Sequence, residues 1–88
     1  DVIIYNGLHL EGKLTEVLTK LKDKKTLAIS DGIARTELLP TGSGTYDPHI
    51  WFDVSLWRKG LAYLAQELML AYPQHQIQIQ ENRDRYLN

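Results

Sequence analysis

Two short apolar runs, Val2-Ile3-Ile4-Tyr5 and Thr26-Leu27-Ala28-Ile29-Ser30, flank a helical pattern, and that succession leaves few folds open. The first run is rich in β-branched residues and stops at Asn6-Gly7, a strand followed by a turn. Its apolarity is continuous, which suits a strand covered on both faces in a parallel sheet. Leu10, Leu14, Val17, Leu18 and Leu21 then recur at spacings of three and four, one face of an amphipathic helix ending near residues 22–25. The lysines Lys22, Lys24 and Lys25 suit the negative end of that helix. Strand, helix, strand with short connections is a βαβ unit, almost always right-handed. The fold class is therefore α/β, with parallel strands flanked by helices.

From residue 31 to residue 46 the periodicity is lost. Gly32, Pro40, Gly42, Ser43 and Gly44 mark a loop, with residues 41–45 its most mobile part. A second helix is expected after Phe52, with Asp53 as its N-cap. Leu56, Trp57, Leu61, Leu64, Ala65, Leu68, Met69 and Tyr72 give it a broad apolar stripe, which makes it the main packing element. The tail carries two signals. Residues 76–80 alternate Gln and Ile as a strand would, while Pro73 and the polar run 81–85 suit a helix. The helix is the favoured reading.

At 88 residues the chain makes at most one small domain, burying roughly 60–65 % of its unfolded surface. A net charge of −1 gives no electrostatic reason to expect nucleic acid as a partner. No apolar run approaches the ~18–20 residues of a membrane-spanning helix. The absence of cysteine excludes thiolate metal sites and cysteine nucleophiles. Opening on Asp1 and an apolar run, with neither Met nor a basic signal-peptide start, the chain has the look of a mature or excised fragment.

The chemistry centres on Asp47-Pro48-His49-Ile50-Trp51-Phe52-Asp53. Pro48 fixes its own φ and holds Asp47 extended, so His49 sits on a stiff mount beside two aromatic residues. A neutral imidazole held this way is pre-oriented for a metal, although the same histidine could simply hydrogen-bond a loop. His9 lies at a strand-to-helix junction, where ligands gather in open α/β sheets, but local hydrogen bonding accounts for it. His75 lies in a polar, glutamine-rich stretch and is expected in solvent. Asp47 and Asp53 could pair with His49 as acid and base, yet a turn aspartate and an N-cap explain both. Neither a nucleophile elbow, a Walker loop nor a His-Glu-x-x-His pattern occurs.

Taken together, residues 5–13 (Tyr5-Asn6-Gly7-Leu8-His9-Leu10-Glu11-Gly12-Lys13) and Asp47-Pro48-His49-Ile50-Trp51-Phe52-Asp53-Val54 resemble the substrate-binding proteins of bacterial metal-ion ABC transporters, the manganese-, zinc- or iron-binding lipoprotein adhesin family. The resemblance covers the whole chain. It implies a fold of two α/β lobes joined by a long helix, with a metal held between them by four side chains. By the resemblance His49 is one of those four, while His9 falls outside the ligand set. A second histidine would come from an earlier Asp-Pro-His motif, and the other two ligands from the second lobe.

Residues 1–72 would then be part of the N-terminal lobe, a partial three-layer structure with two of about four strands, and residues 73–88 the start of the inter-lobe helix. The implied cargo is Mn²⁺ or Zn²⁺, with Fe²⁺ a third candidate, bound by the parent and not tightly by these residues alone. The implied setting is periplasmic or extracellular, with lipoprotein anchoring open, and the implied partner an ABC permease. No reaction is implied, so the chain is not expected to be an enzyme. The edge of strand 2–5 should be bare and should favour self-association. Two alternatives belong to other classes: a small metal-dependent hydrolase using His49 with Asp47 or Asp53, and an interaction module whose edge strand is its purpose.

Overall fold

The computed structural model describes residues 2–88. β1 (Val2–Tyr5) and β2 (Lys25–Ala28) lie side by side in parallel, with Val2 opposite Lys25 and Tyr5 opposite Ala28. α1 (Leu14–Lys20) makes the crossover, so the α/β reading holds.

Both junctions differ from the periodicity in an informative way. The helical pattern predicts a start near Leu10, but Leu8 and His9 take φ of 55° and 64°. Gly12 follows at φ 59°, so left-handed residues stand on both sides of Leu10 and Glu11 and a right-handed helix begins only at Leu14, four residues later. Leu10, Leu14 and Val17 are left exposed, and only Leu18 of that face is buried. β2 ends at Ala28, and Ile29–Gly32 coil into a 3₁₀ turn whose Ser30 N–H donates to the Asn6 carbonyl at 3.0 Å. Gly7 lies under this turn with φ 92°; a Cβ there would stand 2.2 Å from Ser30 Oγ, which only glycine avoids.

The segment expected to be a loop contains a small hairpin. β3 (Pro40–Gly42) and β4 (Thr45–Tyr46) pair antiparallel around Ser43 and Gly44, both at positive φ. The Thr41 and Thr45 hydroxyls meet across it at 2.6 Å. Threonine pairs favour such cross-strand contacts, and this one links the two short strands.

α2 (Val54–Ala71) packs against the Ile29–Gly32 turn and against α3 (Gln76–Leu87). Ile33, Leu38 and Ile50, at 4, 5 and 2 % exposure, form the core beneath, with Leu8, Leu56 and Trp57 against them. Burying each such side chain contributes ~1.5–3 kcal/mol before entropy. The tail is helical, entered through a short turn at Pro73–His75. Ile79 faces the α2 groove lined by Leu61, Leu64 and Leu68, while Ile77 points outward, so the alternation at 76–80 does not build a strand. Trp57 Nε1 donates to the Tyr86 hydroxyl at 3.4 Å, and Arg58 reaches the Leu87 carbonyl.

Among the described residues β1 pairs with β2 alone, and its Ile4 is 44 % exposed. No helix among them is long and apolar enough to cross a membrane.

Candidate metal centre

The mount of His49 is built from a few short hydrogen bonds. The Asp47 N–H donates to the Leu39 carbonyl at 2.8 Å, which ties the turn to the hairpin. Asp47 Oδ1 then accepts twice from the same residue: from the His49 N–H at 3.0 Å and from His49 Nδ1 at 2.7 Å. These contacts, the backbone N–H first and the ring second, hold the Asp47 carboxyl below its ordinary range. An ionised carboxylate can only accept, so the network assigns the proton to Nδ1. In the neutral imidazole the lone pair is then on Nε2, which has no hydrogen-bond partner among the described residues. The His49 side chain is 52 % exposed.

Packing restricts the ring as well. The His49 imidazole lies 5.2 Å from the Trp51 ring, tilted by 58°, and stacks on Phe52 at 6.2 Å and 29°. Between them Ile50 points the other way, into the core. This alternation explains the Ile-Trp-Phe run: one residue anchors the short turn Ile50–Phe52 while its neighbours wall the imidazole. Asp53 closes the segment as the cap of α2, its Oδ1 accepting from the Ser55 N–H, the Ser55 hydroxyl and the Leu56 N–H. The Ser55 hydroxyl is the largest cause of its lowered pKa. With that oxygen committed to the cap, Asp53 is accounted for without acid–base chemistry. The cleft of about 330 Å³ beside His49 is lined by Glu37, Asp47 and Asp53 together with Leu39, Phe52 and Leu56.

The other stretch carrying the family resemblance meets this one directly. The Asn6 side chain donates from Nδ2 to the Pro48 carbonyl at 3.0 Å, across 42 residues of sequence. Asn6 is itself held, because Glu11 accepts from the Asn6 N–H at 2.7 Å and from the Gly7 N–H at 3.2 Å. From the sequence Asn6-Gly7 reads as a turn and Glu11 as a residue of the family-like stretch. The signal available was a carboxylate placed four and five residues after two turn amides.

The remaining candidates stand apart from His49. His9 lines a separate cavity at the C-terminal ends of β1 and β2, among Tyr5, Ser30, Asp31, Arg35 and Tyr46. Burial is the first cause, and Asp31 the second, of a raised Tyr5 pKa there. His75 is exposed on the turn before α3. Among the described residues no three histidine, aspartate or glutamate side chains come together as a metal-holding group. Among the described residues the site has one imidazole, with the Asp47 carboxylate against its Nδ1.

Comparison with known proteins extends this picture. A family model described as zinc-uptake complex component A, periplasmic, matches residues 1–88. The manganese-binding lipoprotein MntA of Bacillus subtilis is 39 % identical over 88 residues, covering 98 % of this chain and 29 % of that protein. The zinc-binding protein TroA of Treponema pallidum is 39 % identical over 74 residues, covering 83 % of this chain and 24 % of its own length. The iron ABC transporter substrate-binding lipoprotein MtsA of Streptococcus pyogenes is 32 % identical over 98 residues, covering 99 % and 31 %. A solved structure of the periplasmic zinc-binding protein TroA superposes with a TM-score of 0.90 at 34 % identity, over 99 % of this chain and 32 % of that one. The chain thus spans under a third of the length of these relatives.

Proposed function

The chain belongs to the family of the periplasmic zinc-uptake complex component A, and on that premise we propose that it is part of an extracytoplasmic substrate-binding protein that captures a divalent transition metal and delivers it to an ABC permease. The cargo is Mn²⁺, Zn²⁺ or Fe²⁺, the metals named for the relatives. The setting is the periplasm or the outer face of the membrane, where a lipid anchor is an option. No substrate is chemically converted.

The observation that carries this reading is the Asp47–His49 pair. A carboxylate that accepts from Nδ1 fixes the tautomer and orientation of an imidazole and leaves Nε2 for a metal. One imidazole cannot satisfy Zn²⁺, which takes four ligands, or a metal that prefers more. We therefore place the other donors outside these residues, in a longer polypeptide of the relatives' size. In it, residues 1–72 form part of the N-terminal lobe and residues 73–88 open the helix leading to the second. An ion gripped by donors from two lobes would draw the lobes together, giving the permease a difference between loaded and empty protein.

Calorimetric titration with Zn²⁺ and Mn²⁺ tests the proposal. In the full polypeptide carrying these residues, His49→Ala should weaken binding by at least 100-fold, and unchanged affinity would refute the assignment. The same titration of the 88-residue chain separates the rival hydrolase reading, which requires binding tighter than micromolar by these residues alone.

A further inference from the structure

Resting on the reading of His49 as a ligand, we infer that Asn6, locked by Glu11, is a positioning residue for the metal-binding imidazole. The argument concerns a single peptide unit. Its carbonyl belongs to Pro48 and its N–H to His49. The carbonyl accepts from Asn6 Nδ2 at 3.0 Å and from the Ile50 N–H at 2.8 Å. The N–H donates to Asp47 Oδ1 at 3.0 Å. Both polar atoms of the unit are held, so its plane cannot rotate without breaking a hydrogen bond. That plane sets the φ of His49, and with it the direction in which the imidazole leaves the backbone.

Asp47 and Ile50 are near neighbours and move with the turn. Asn6 is the long-range contact of the three, the one that references the turn to the sheet. It sits one residue beyond β1, its own carbonyl accepts from Ser30 N–H, and Glu11 pins its N–H and that of Gly7. The clamp thus runs from the parallel sheet through Asn6 to the peptide unit that aims His49. It also gives the first loop a role in metal capture although that loop offers no ligand of its own. Groups bonded directly to a metal-ligating imidazole change affinity about 10–100-fold when removed, and Asn6, which acts through the adjoining peptide unit, is expected near the low end.

The test uses the full polypeptide and Co²⁺, whose visible absorption reports ligand geometry at a zinc-type site. Asn6→Leu keeps the branched shape and removes the donor. Binding at least 10-fold weaker, together with an altered Co²⁺ spectrum, is expected while the metal-free protein still melts cooperatively. Wild-type affinity and spectrum in Asn6→Leu, alongside weakened binding in His49→Ala, would overturn the clamp and leave the ligand assignment standing. Unchanged binding in His49→Ala would instead overturn the ligand assignment and the clamp with it. Should Asn6→Leu not fold, Glu11→Gln decides: a several-fold loss of affinity is expected, and no loss overturns the inference.

Discussion

Gly32→Ala should loosen the seam on which the whole mount rests. A Cβ at residue 32 would lie 2.3 Å from Tyr63 Cβ, 2.9 Å from Tyr63 Cγ and 3.0 Å from the Lys59 carbonyl oxygen. Ordinary carbon–carbon contact begins at about 3.5 Å, so α2 and the Ile29–Gly32 turn must part by roughly 1 Å. No rotamer relieves this, because both Cβ atoms are fixed to backbone. Overpacking of this kind costs about 1–3 kcal/mol, and each kcal/mol lowers the midpoint of a domain this size by about 4–8 °C.

Gly60→Ala provides an internal comparison. Alanine returns about 1 kcal/mol of helix propensity within α2, and the new Cβ first meets the side-chain Cγ2 of Ile29, at 2.6 Å. The Ile29 carbonyl oxygen at 3.1 Å limits the adjustment. Thermal melts and urea titrations should rank Gly32→Ala below Gly60→Ala, and both at or below the parent chain. A Gly32→Ala protein as stable as the parent, or a Gly60→Ala protein gaining the full helix-propensity benefit, would refute the close-approach argument.

Further expectations come from the same geometry. Ile50→Ala removes the most buried residue of the core and should cost about 2–5 kcal/mol, read as a lower urea midpoint; a loss under about 1 kcal/mol would show that the turn below His49 is not anchored there. Asp47 and Asp53 both have lowered folded pKa values, so their contribution is present above the unfolded value near 3.9 and is lost as pH falls through the folded values. Stability should be level down to about pH 5 and fall below about pH 4, and the double variant Asp47→Asn, Asp53→Asn should show a shallower acid slope; an identical slope would contradict the assignment. With one edge of β1 unpaired among the described residues, the 88-residue chain should self-associate with rising concentration, and light scattering showing a stable 10.1 kDa monomer would count against this.

Much of this structure is written locally in the sequence. The Asp53 cap and the stripe from Leu56 to Tyr72 specify α2 without help, and Pro73 with the polar run after it specifies α3. The βαβ order is equally local. What local reading misses is decided by contacts far apart in sequence. Leu10 fits a helical period, but the Glu11 carboxylate gathers the Asn6 and Gly7 amides and holds the chain in a turn until Leu14. The hairpin at 40–46 hides behind Gly-Ser-Gly because its order comes from Thr41 meeting Thr45 and from Leu39 accepting from Asp47. At the site, Asp-Pro-His marks His49 as a candidate on a stiff mount, and its reading as a ligand comes from the resemblance. The carboxylate on its ring is harder to see, since Asp47 looks like an ordinary turn aspartate until both of its donors are found on one residue. The contact from Asn6 to Pro48 spans 42 positions and has no periodic signature at all.

The central claim is that His49 offers Nε2 to the metal because Asp47 holds the proton on Nδ1. Long-range ¹H–¹⁵N correlation of the His49 ring, in the full polypeptide with and without Zn²⁺, addresses it directly. The account predicts a protonated Nδ1 and an unprotonated Nε2 before metal, with Zn²⁺ moving the Nε2 resonance and leaving Nδ1 protonated. A proton on Nε2 in the metal-free protein, or an Nε2 resonance indifferent to saturating Zn²⁺, would contradict it.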